Sequence, residues 1–338
     1  MERVCVILVN YKTWRDTAEC IESLLKCQTA HMQVVVVEND SPDDSWEQLQ
    51  NWAQGKVTLD LSPENTLRRL THPPATKPIR YAAINEQEAA SLKSDVPVVF
   101  IRTASNLGFA GGNNVGLRYM LNNDFQYAWL LNNDTVIEPD AVDALVRYVQ
   151  QHTSEKMGIT GSKLRLYHKP EVLQGLGAVF NKYSGTSKII GAQQVDNGQF
   201  DQSVSHITYA IGAAMFVSRP FLEEVGLMSE EYFLYNEEND WSARAHLTGW
   251  KVGVAVDSIV YHKQGASTGN SPKKSKLQVK ALNYKYRGKI LLYKKYYKPQ
   301  IVFLYIHLIR RSVRYILKGN MQEAGVIYKA LLNTKLPD

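Results

Sequence analysis

The chain has 338 residues, 44% of them hydrophobic, enough to bury one large core or one core with a smaller appended domain. Met1 runs straight into a strand-like Val-Cys-Val-Ile-Leu-Val without the basic, apolar and small-residue order of a signal peptide, and Ile301 to Ile309 falls far short of the roughly 20 apolar residues of a spanning helix, so secretion and membrane crossing are not expected. The formal charge of +6 is uneven: residues 272–338 hold 16 Lys/Arg against two acidic residues, a balance of +14 that leaves −8 for the rest. A basic end on an acidic body points to an anionic surface as its partner.

In chain order, Arg3 to Val9 is a continuous apolar run, the pattern of a strand buried on both faces of a parallel sheet. A helix is predicted next, with Thr13 and Asp16 as a capping box and Ala18, Ile21, Leu24 and Leu25 on one face. Val34 to Val37 predicts a second buried strand. The carboxyl ends of these strands carry Asn10-Tyr11 and Glu38-Asn39-Asp40, where open parallel sheets bind ligands. The three cysteines, Cys5, Cys20 and Cys27, lack CxxC spacing and read as core in a reducing cytoplasm.

From about Gly55 to Pro97 periodicity lapses into proline-containing, mixed-polarity sequence, which reads as an inserted loop or small subdomain near the site entrance. The sheet resumes at Val98 to Ile101, a helix is predicted over Asn114 to Leu121, and Tyr127 to Leu131 is a strand ending in Asn132-Asn133-Asp134. Longer strands are expected over Ile207 to Val217 and Val252 to Tyr261, making the sheet mixed and mostly parallel.

Three segments carry candidate chemistry. Asn106 to Asn114 packs three glycines and three asparagines behind a strand; it is neither a Walker loop nor a GxGxxG turn, and it reads either as a tight turn into a helix or as a ligand-facing loop. Asp134 at a strand end either opens a turn or reaches the divalent cation that a nucleotide-diphosphate leaving group needs. Tyr235-Asn-Glu-Glu-Asn-Asp240 is either an acidic helix start, with Asp240 and Arg244 as an i, i+4 pair, or the source of a general base.

With Val9-Asn10-Tyr11, Glu38-Asn39-Asp40, Asn106 to Asn114, Leu131 to Pro139, Gly212-Ala-Ala-Met215, Tyr235 to Asp240 and Val260-Tyr-His262 in that order, the first 270 residues or so resemble family-2 inverting glycosyltransferases of the GT-A fold, especially the branch containing many rhamnosyltransferases. The resemblance implies an α/β fold with a central sheet flanked by helices, and a catalytic domain over residues 1–270. It implies that Val9, Asn10, Tyr11, Glu38, Asn106, Gly108, Gly111, Gly112, Asn113, Asn132 and Asn133 line the nucleotide-sugar pocket, Glu38 standing where the family more often has Asp. Asn132-Asn133-Asp134 looks like the DxD metal motif with its first Asp replaced, so the implied ligands of a Mg2+ or Mn2+ ion are Asp134 and His262. Glu238 is the implied base, with Glu237 as its neighbour. The implied partners are a nucleotide-diphosphate sugar, with dTDP-rhamnose favoured over a UDP-hexose, and a glycan or lipid-linked glycan acceptor in bacterial surface polysaccharide synthesis.

Residues 271–338 alternate basic and aromatic side chains, as in Tyr293-Lys-Lys-Tyr-Tyr-Lys298, and read as helices lying on an anionic membrane surface at its cytoplasmic face. No nucleic-acid module accompanies the charge. Sugar-phosphate nucleotidyltransferases are set aside because a glycine-rich phosphate loop is missing after the first strand; a non-catalytic carbohydrate-binding protein would not need Asp134, His262 and the paired glutamates together.

Overall fold

The computed structural model describes residues 2–27, 31–60, 62–202, 204, 206–264 and 276–332. Its first half runs β1 (Val4–Asn10), α1 (Trp14–Leu24), β2 (Met32–Glu38), α2 (Ser45–Ala53), β3 (Tyr81–Asn85), α3 (Glu86–Ala89), β4 (Val98–Arg102), α4 (Gly108–Asn122), β5 (Tyr127–Leu131), β6 (Thr135–Ile137) and α5 (Ala141–Gln151). The second half runs β7 (Met157–Leu166), β8 (Lys169–Gly175), β9 (Ala178–Asn181), β10 (Thr186–Ile189), β11 (Ala214–Ser218), α6 (Arg219–Val225), α7 (Glu237–Leu247), β12 (Lys251–His262), α8 (Lys276–Tyr296), α9 (Ile301–Leu317) and α10 (Met321–Leu331).

The main sheet has the order β3-β4-β2-β1-β5-β11-β7-β12-β6, with β8 on β7. Strands β3, β4, β2, β1 and β5 are mutually parallel, β11 is antiparallel to both its neighbours, and β7 and β12 are parallel. The result is a mixed, mostly parallel α/β sheet covered by helices on both faces. The period of two explains the cover: along β1, Val4, Val6 and Leu8 enter a core shared with α1, α2 and α5, while Cys5 and Ile7 enter the opposite core with α4, α6 and α7. Each such fully buried aliphatic side chain contributes about 1.5–3 kcal/mol.

Some expectations change against this frame. Thr13 precedes α1 but makes no capping bond; its hydroxyl accepts from Asn133 Nδ2 at 2.7 Å, and Asp16 pairs with Lys263 at 2.5 Å, so tertiary partners outcompete the local box. Asn106 to Asn114 is no free loop, because α4 already starts at Gly108. Only Ala214–Ser218 of the strand expected over Ile207 to Val217 is regular; the stretch before it meets the sheet system at a single bridge, Tyr209 to Ala178. Asp134 does not end a strand but lies in the turn between β5 and β6. Within the region expected as an insertion, Tyr81–Asn85 adds an edge strand to the main sheet, and Arg69 grips Glu138 through two bonds of 2.5 and 3.0 Å. The boundary expected at 270/271 lies outside the described residues.

The carboxyl-terminal helices have a core of their own, built from Tyr286, Ile290 and Tyr293 of α8, Leu304 and Leu308 of α9, and Val326, Ile327 and Ala330 of α10. Helix α8 also packs on the segment leading into α7. Phe233 and Tyr284 stack at 4.8 Å, Asn236 Nδ2 donates to the Lys285 carbonyl at 3.2 Å, and Tyr296 donates to Asp240 at 3.0 Å. Among the described residues no helix is long and apolar enough to cross a membrane.

Candidate active site

The parallel strands end together. Asn10, Glu38, Arg102 and Asn85 stand in register at the carboxyl ends of β1, β2, β4 and β3. Asn10 and Glu38 are both fully buried. Thr17 donates to Asn10 Oδ1 at 2.8 Å and the Ser41 amide donates to Glu38 Oε1 at 3.0 Å. Asn10 Nδ2 and Glu38 Oε2 nevertheless have no hydrogen-bond partner. Burial pushes the Glu38 carboxyl up, offset in part by Ser41, the neighbouring Asn10 and the charge of Arg102. Leaving a polar atom buried and unpaired costs about 1–3 kcal/mol; this donor and this acceptor stand side by side on adjacent strands, where Asn10 helps to hold the Glu38 carboxyl down. Tyr11 is half-buried just beyond them, with Lys12 Nζ 5.0 Å from its ring centroid.

The glycines of α4 let the helix approach this strand end. A Cβ on Gly112 would lie 2.9 Å from Val9 Cγ1, and one on Gly108, whose φ is +69°, would lie 2.3 Å from the Phe233 carbonyl oxygen. Gly111 packs on Leu107, and Asn113 Nδ2 donates to the Phe109 carbonyl, both inside the helix start. Asn106 Oδ1 accepts from Gly108 N at 2.9 Å and Asn39 Oδ1 from Leu107 N at 3.0 Å, so the two side chains cap α4 together. Most of this cluster therefore builds the wall of the site through backbone packing.

The turn after β5 splits its three side chains. Asn133 points to α1, donating to Thr13 and Thr17 at 2.7 and 2.8 Å, which places it in the scaffold. Asn132 and Asp134 point to the end of β12: Asp134 Oδ1 is 3.0 Å and Asn132 Nδ2 3.2 Å from His262 Nε2. His262 Nδ1 faces Gln174 Oε1 at 2.9 Å. In the tautomer that donates from Nδ1 to Gln174, the Nε2 lone pair faces both the Asn132 amide, which can donate to it, and the Asp134 carboxylate, with which it could share a cation. Burial pushes the Asp134 carboxyl up, but the hydrogen bond and charge of His262 outweigh it and hold the group below the usual carboxylate range.

The acid pair sits at the start of α7, after two consecutive left-handed residues, Tyr235 and Asn236, at φ 70° and 74°. Such strain in non-glycine residues is held by surrounding structure, here by α8 through Asn236 and Gly288. Glu237 is 5% exposed and Glu238 is half-buried; Oε2 of each lacks a hydrogen-bond partner. Burial, then the charge of Glu238, raises the Glu237 carboxyl well above its ordinary value, and burial raises Glu238 against the opposing pull of backbone amides and Lys285. Asp240 has the structural role expected of it, accepting from Arg244 Nε at 3.0 Å. Contacts join this pair to the rest of the site: Phe109 N donates to the Phe233 carbonyl at 2.9 Å, Phe109 packs near Gly212, and the neighbouring Ala213 carbonyl accepts from Asn132 N at 2.9 Å.

A family model described as Glycosyltransferase like family 2 matches residues 82–283, and one described as Glycosyl transferase family 2 matches residues 5–69. The chain belongs to glycosyltransferase family 2. A relative, the low-salt glycan biosynthesis hexosyltransferase Agl10 of Haloferax volcanii, is 27% identical over 167 residues, 47% of this chain and 50% of the relative. The chain thus spans about half the length of that curated relative. Two solved structures share the GT-A fold at 12% identity. Mannosyltransferase PcManGT from Pyrobaculum calidifontis, in complex with GDP-Man and Mn2+, has a TM-score of 0.53 over 99% of this chain and 76% of its own. S. aureus TarS 1-349, in complex with UDP-GlcNAc, has a TM-score of 0.54 over 98% and 80%.

For a family-2 enzyme the metal set is sparse. Among the described residues no three His, Cys, Asp or Glu side chains gather as a cage. Asp134 and His262 offer two donors to a divalent cation that would take its other ligands from a diphosphate and water, while Asn132 turns its amide nitrogen, a donor, to His262. Sequence reasoning missed Gln174, Thr17 and Lys263. Gln174 comes from a strand with no site motif. Lys263, next to His262, pairs with Asp16 and Glu19, both at 2.5 Å, and its amide donates to the Asp134 carbonyl at 3.0 Å, bolting β12 to the turn.

Proposed function

We propose that this family-2 chain moves one sugar, with inversion, from a nucleotide-diphosphate donor to a hydroxyl of a glycan acceptor in surface polysaccharide synthesis. The observation that carries the reading is Asp134 and His262, 128 positions apart in sequence, meeting at 3.0 Å beside a strand end with unpaired buried polar atoms. Asn10 and Glu38 receive the nucleoside, whose polar edge supplies the partners these side chains lack. Asp134 and His262 would hold Mg2+ or Mn2+, which would neutralise charge on the departing diphosphate. Glu238 accepts the acceptor hydroxyl proton as that oxygen bonds the anomeric carbon and the bond to the diphosphate breaks. Burial keeps the basicity of Glu238 high, and Glu237 stands beside it as its neighbour.

The favoured donor is dTDP-rhamnose, on the resemblance to the rhamnosyltransferase branch, and a UDP-hexose is the alternative; the hexosyltransferase activity in the relative's name suits either sugar. Nucleotide release from a panel of donors with Mn2+ or Mg2+ tests this. Turnover of one donor, abolished by chelation, is the expected result; no binding of any nucleotide sugar, with or without metal, would sink the transferase reading and leave a carbohydrate-binding protein.

We also propose that the carboxyl-terminal helices rest on the inner face of the cell membrane. On α9, Val302, Phe303, Ile306, Ile309, Val313, Ile316 and Leu317 are between 43% and 81% exposed. They form one stripe about 22 Å long, flanked by Arg310, Arg314 and Lys318. Such a face suits an interface with anionic lipid. Replacing Ile309 and Val313 together with Glu is expected to weaken sedimentation with vesicles containing about 30 mol% phosphatidylglycerol by at least about tenfold. Equal binding by the double variant would end the membrane reading.

A further inference from the structure

Between the segment that enters α7 and the helices α8 and α10 lies a cavity of about 380 Å³ that no part of the donor site uses. Its walls include the stacked rings of Phe233 and Tyr284, together with Leu291 and Ala330. Its polar groups are Asn283, Arg287, Lys294 and Glu231. Glu231 is neutralised by an ion pair with Lys295. Arg287, half-buried, and Lys294 form no ion pair among the described residues. Asn283 is 6% exposed, and its Oδ1 is buried without a hydrogen-bond partner.

These observations fit together. An unpaired guanidinium partly withdrawn from water and an unsatisfied amide oxygen are both costly in the empty protein. A ligand that brings a phosphate to Arg287 and a hydroxyl to Asn283 relieves both costs, and the planar fork of Arg matches phosphate oxygens. The aromatic and aliphatic walls require that the same ligand carry hydrocarbon. The cavity adjoins the catalytic loop directly, since Phe233 lines it and Glu237 follows four residues later.

We propose that this cavity binds the lipid-phosphate portion of the acceptor, with Arg287 and Lys294 on the phosphate, Asn283 on a neighbouring hydroxyl, and the hydrocarbon against Phe233, Tyr284 and Leu291. The assignment rests on the transferase reading and deepens it: the acceptor is a phosphate-bearing amphiphile rather than a free glycan, and it reaches the catalytic loop beside Phe233.

The test is equilibrium binding of dodecyl phosphate to the full chain, below its critical micelle concentration, against inorganic phosphate and the uncharged dodecyl maltoside. Dodecyl phosphate is expected to bind saturably and more tightly than either control. Arg287→Gln, with an unchanged circular dichroism spectrum, is expected to weaken it by about ten- to a hundredfold, the range of a charge-assisted hydrogen bond, and Arg287→Lys to recover most of the loss. Equal binding by wild type and R287Q, or inorganic phosphate binding as tightly as dodecyl phosphate, overturns the assignment. Donor turnover by the wild type is measured separately. Its absence strikes the transferase reading, whereas turnover combined with R287-independent dodecyl phosphate binding strikes only the cavity.

Discussion

Asp134→Ala is expected to lower nucleotide release by about a thousandfold or more at saturating donor, because a metal-assisted departure draws several kcal/mol of transition-state stabilisation from its cation. Asp134 is the one carboxylate in the turn after β5, and its partners there are a histidine and an amide. No neighbouring acid in that turn can replace it. Asp134→Asn keeps the shape and a hydrogen bond to His262 but removes the charge, so it is expected to lose nearly as much activity while unfolding closer to the wild-type temperature than the alanine variant. Titrating Mn2+ against rate separates the causes. Restoration of the asparagine variant to wild-type rate at high Mn2+ would mean weakened metal binding alone, and near-wild-type activity of both variants at ordinary Mn2+ would remove Asp134 from the site.

The sequence made much of this arrangement legible, for physical reasons that vary along the chain. The central strands could be read because burial on both faces leaves an uninterrupted apolar run, as in Val34 to Val37, and their ends locate Asn10 and Glu38. Adjacency in sequence, by contrast, misled at Asn132-Asn133-Asp134. The alternation of direction in an extended turn sends Asn133 to the Thr13 and Thr17 hydroxyls and its neighbours to His262, and nothing local distinguishes the three. Thr13 shows the same limit from the other side: its capping signature is intact, but a tertiary amide takes its hydroxyl. The glycines of α4 were readable as a close approach but not as to what, since Val9 and Phe233 come from opposite halves of the chain. Gln174 had no signal at all, because a single hydrogen bond to a histidine ring imposes no periodicity.

Glu238→Gln is expected to reduce transfer to acceptor by about a hundred- to ten-thousandfold, the usual contribution of a positioned general base. Glutamine keeps the size of the side chain, so loss of turnover without loss of donor binding isolates the proton transfer. The pH profile carries a sharper expectation. Burial raises Glu238, so the base is idle until pH climbs above the ordinary carboxylate range, and the acidic limb of kcat/KM in the wild type should lie there. Glu237, raised further by the charge of Glu238, is still protonated when Glu238 ionises, so Glu237→Gln should leave that limb in place. Stability should respond with the opposite preference. A carboxyl raised in the folded state binds its proton more tightly folded than unfolded, so its contribution to stability is present below the unfolded pKa and is lost as pH rises through the folded one. Glu237→Gln should therefore melt at a higher temperature than the wild type at pH 7 to 8, and the difference should vanish towards pH 4. A variant no more stable at neutral pH would show that burial and the Glu238 charge do not hold Glu237 protonated, and the base would have to be sought outside the loop that α8 holds.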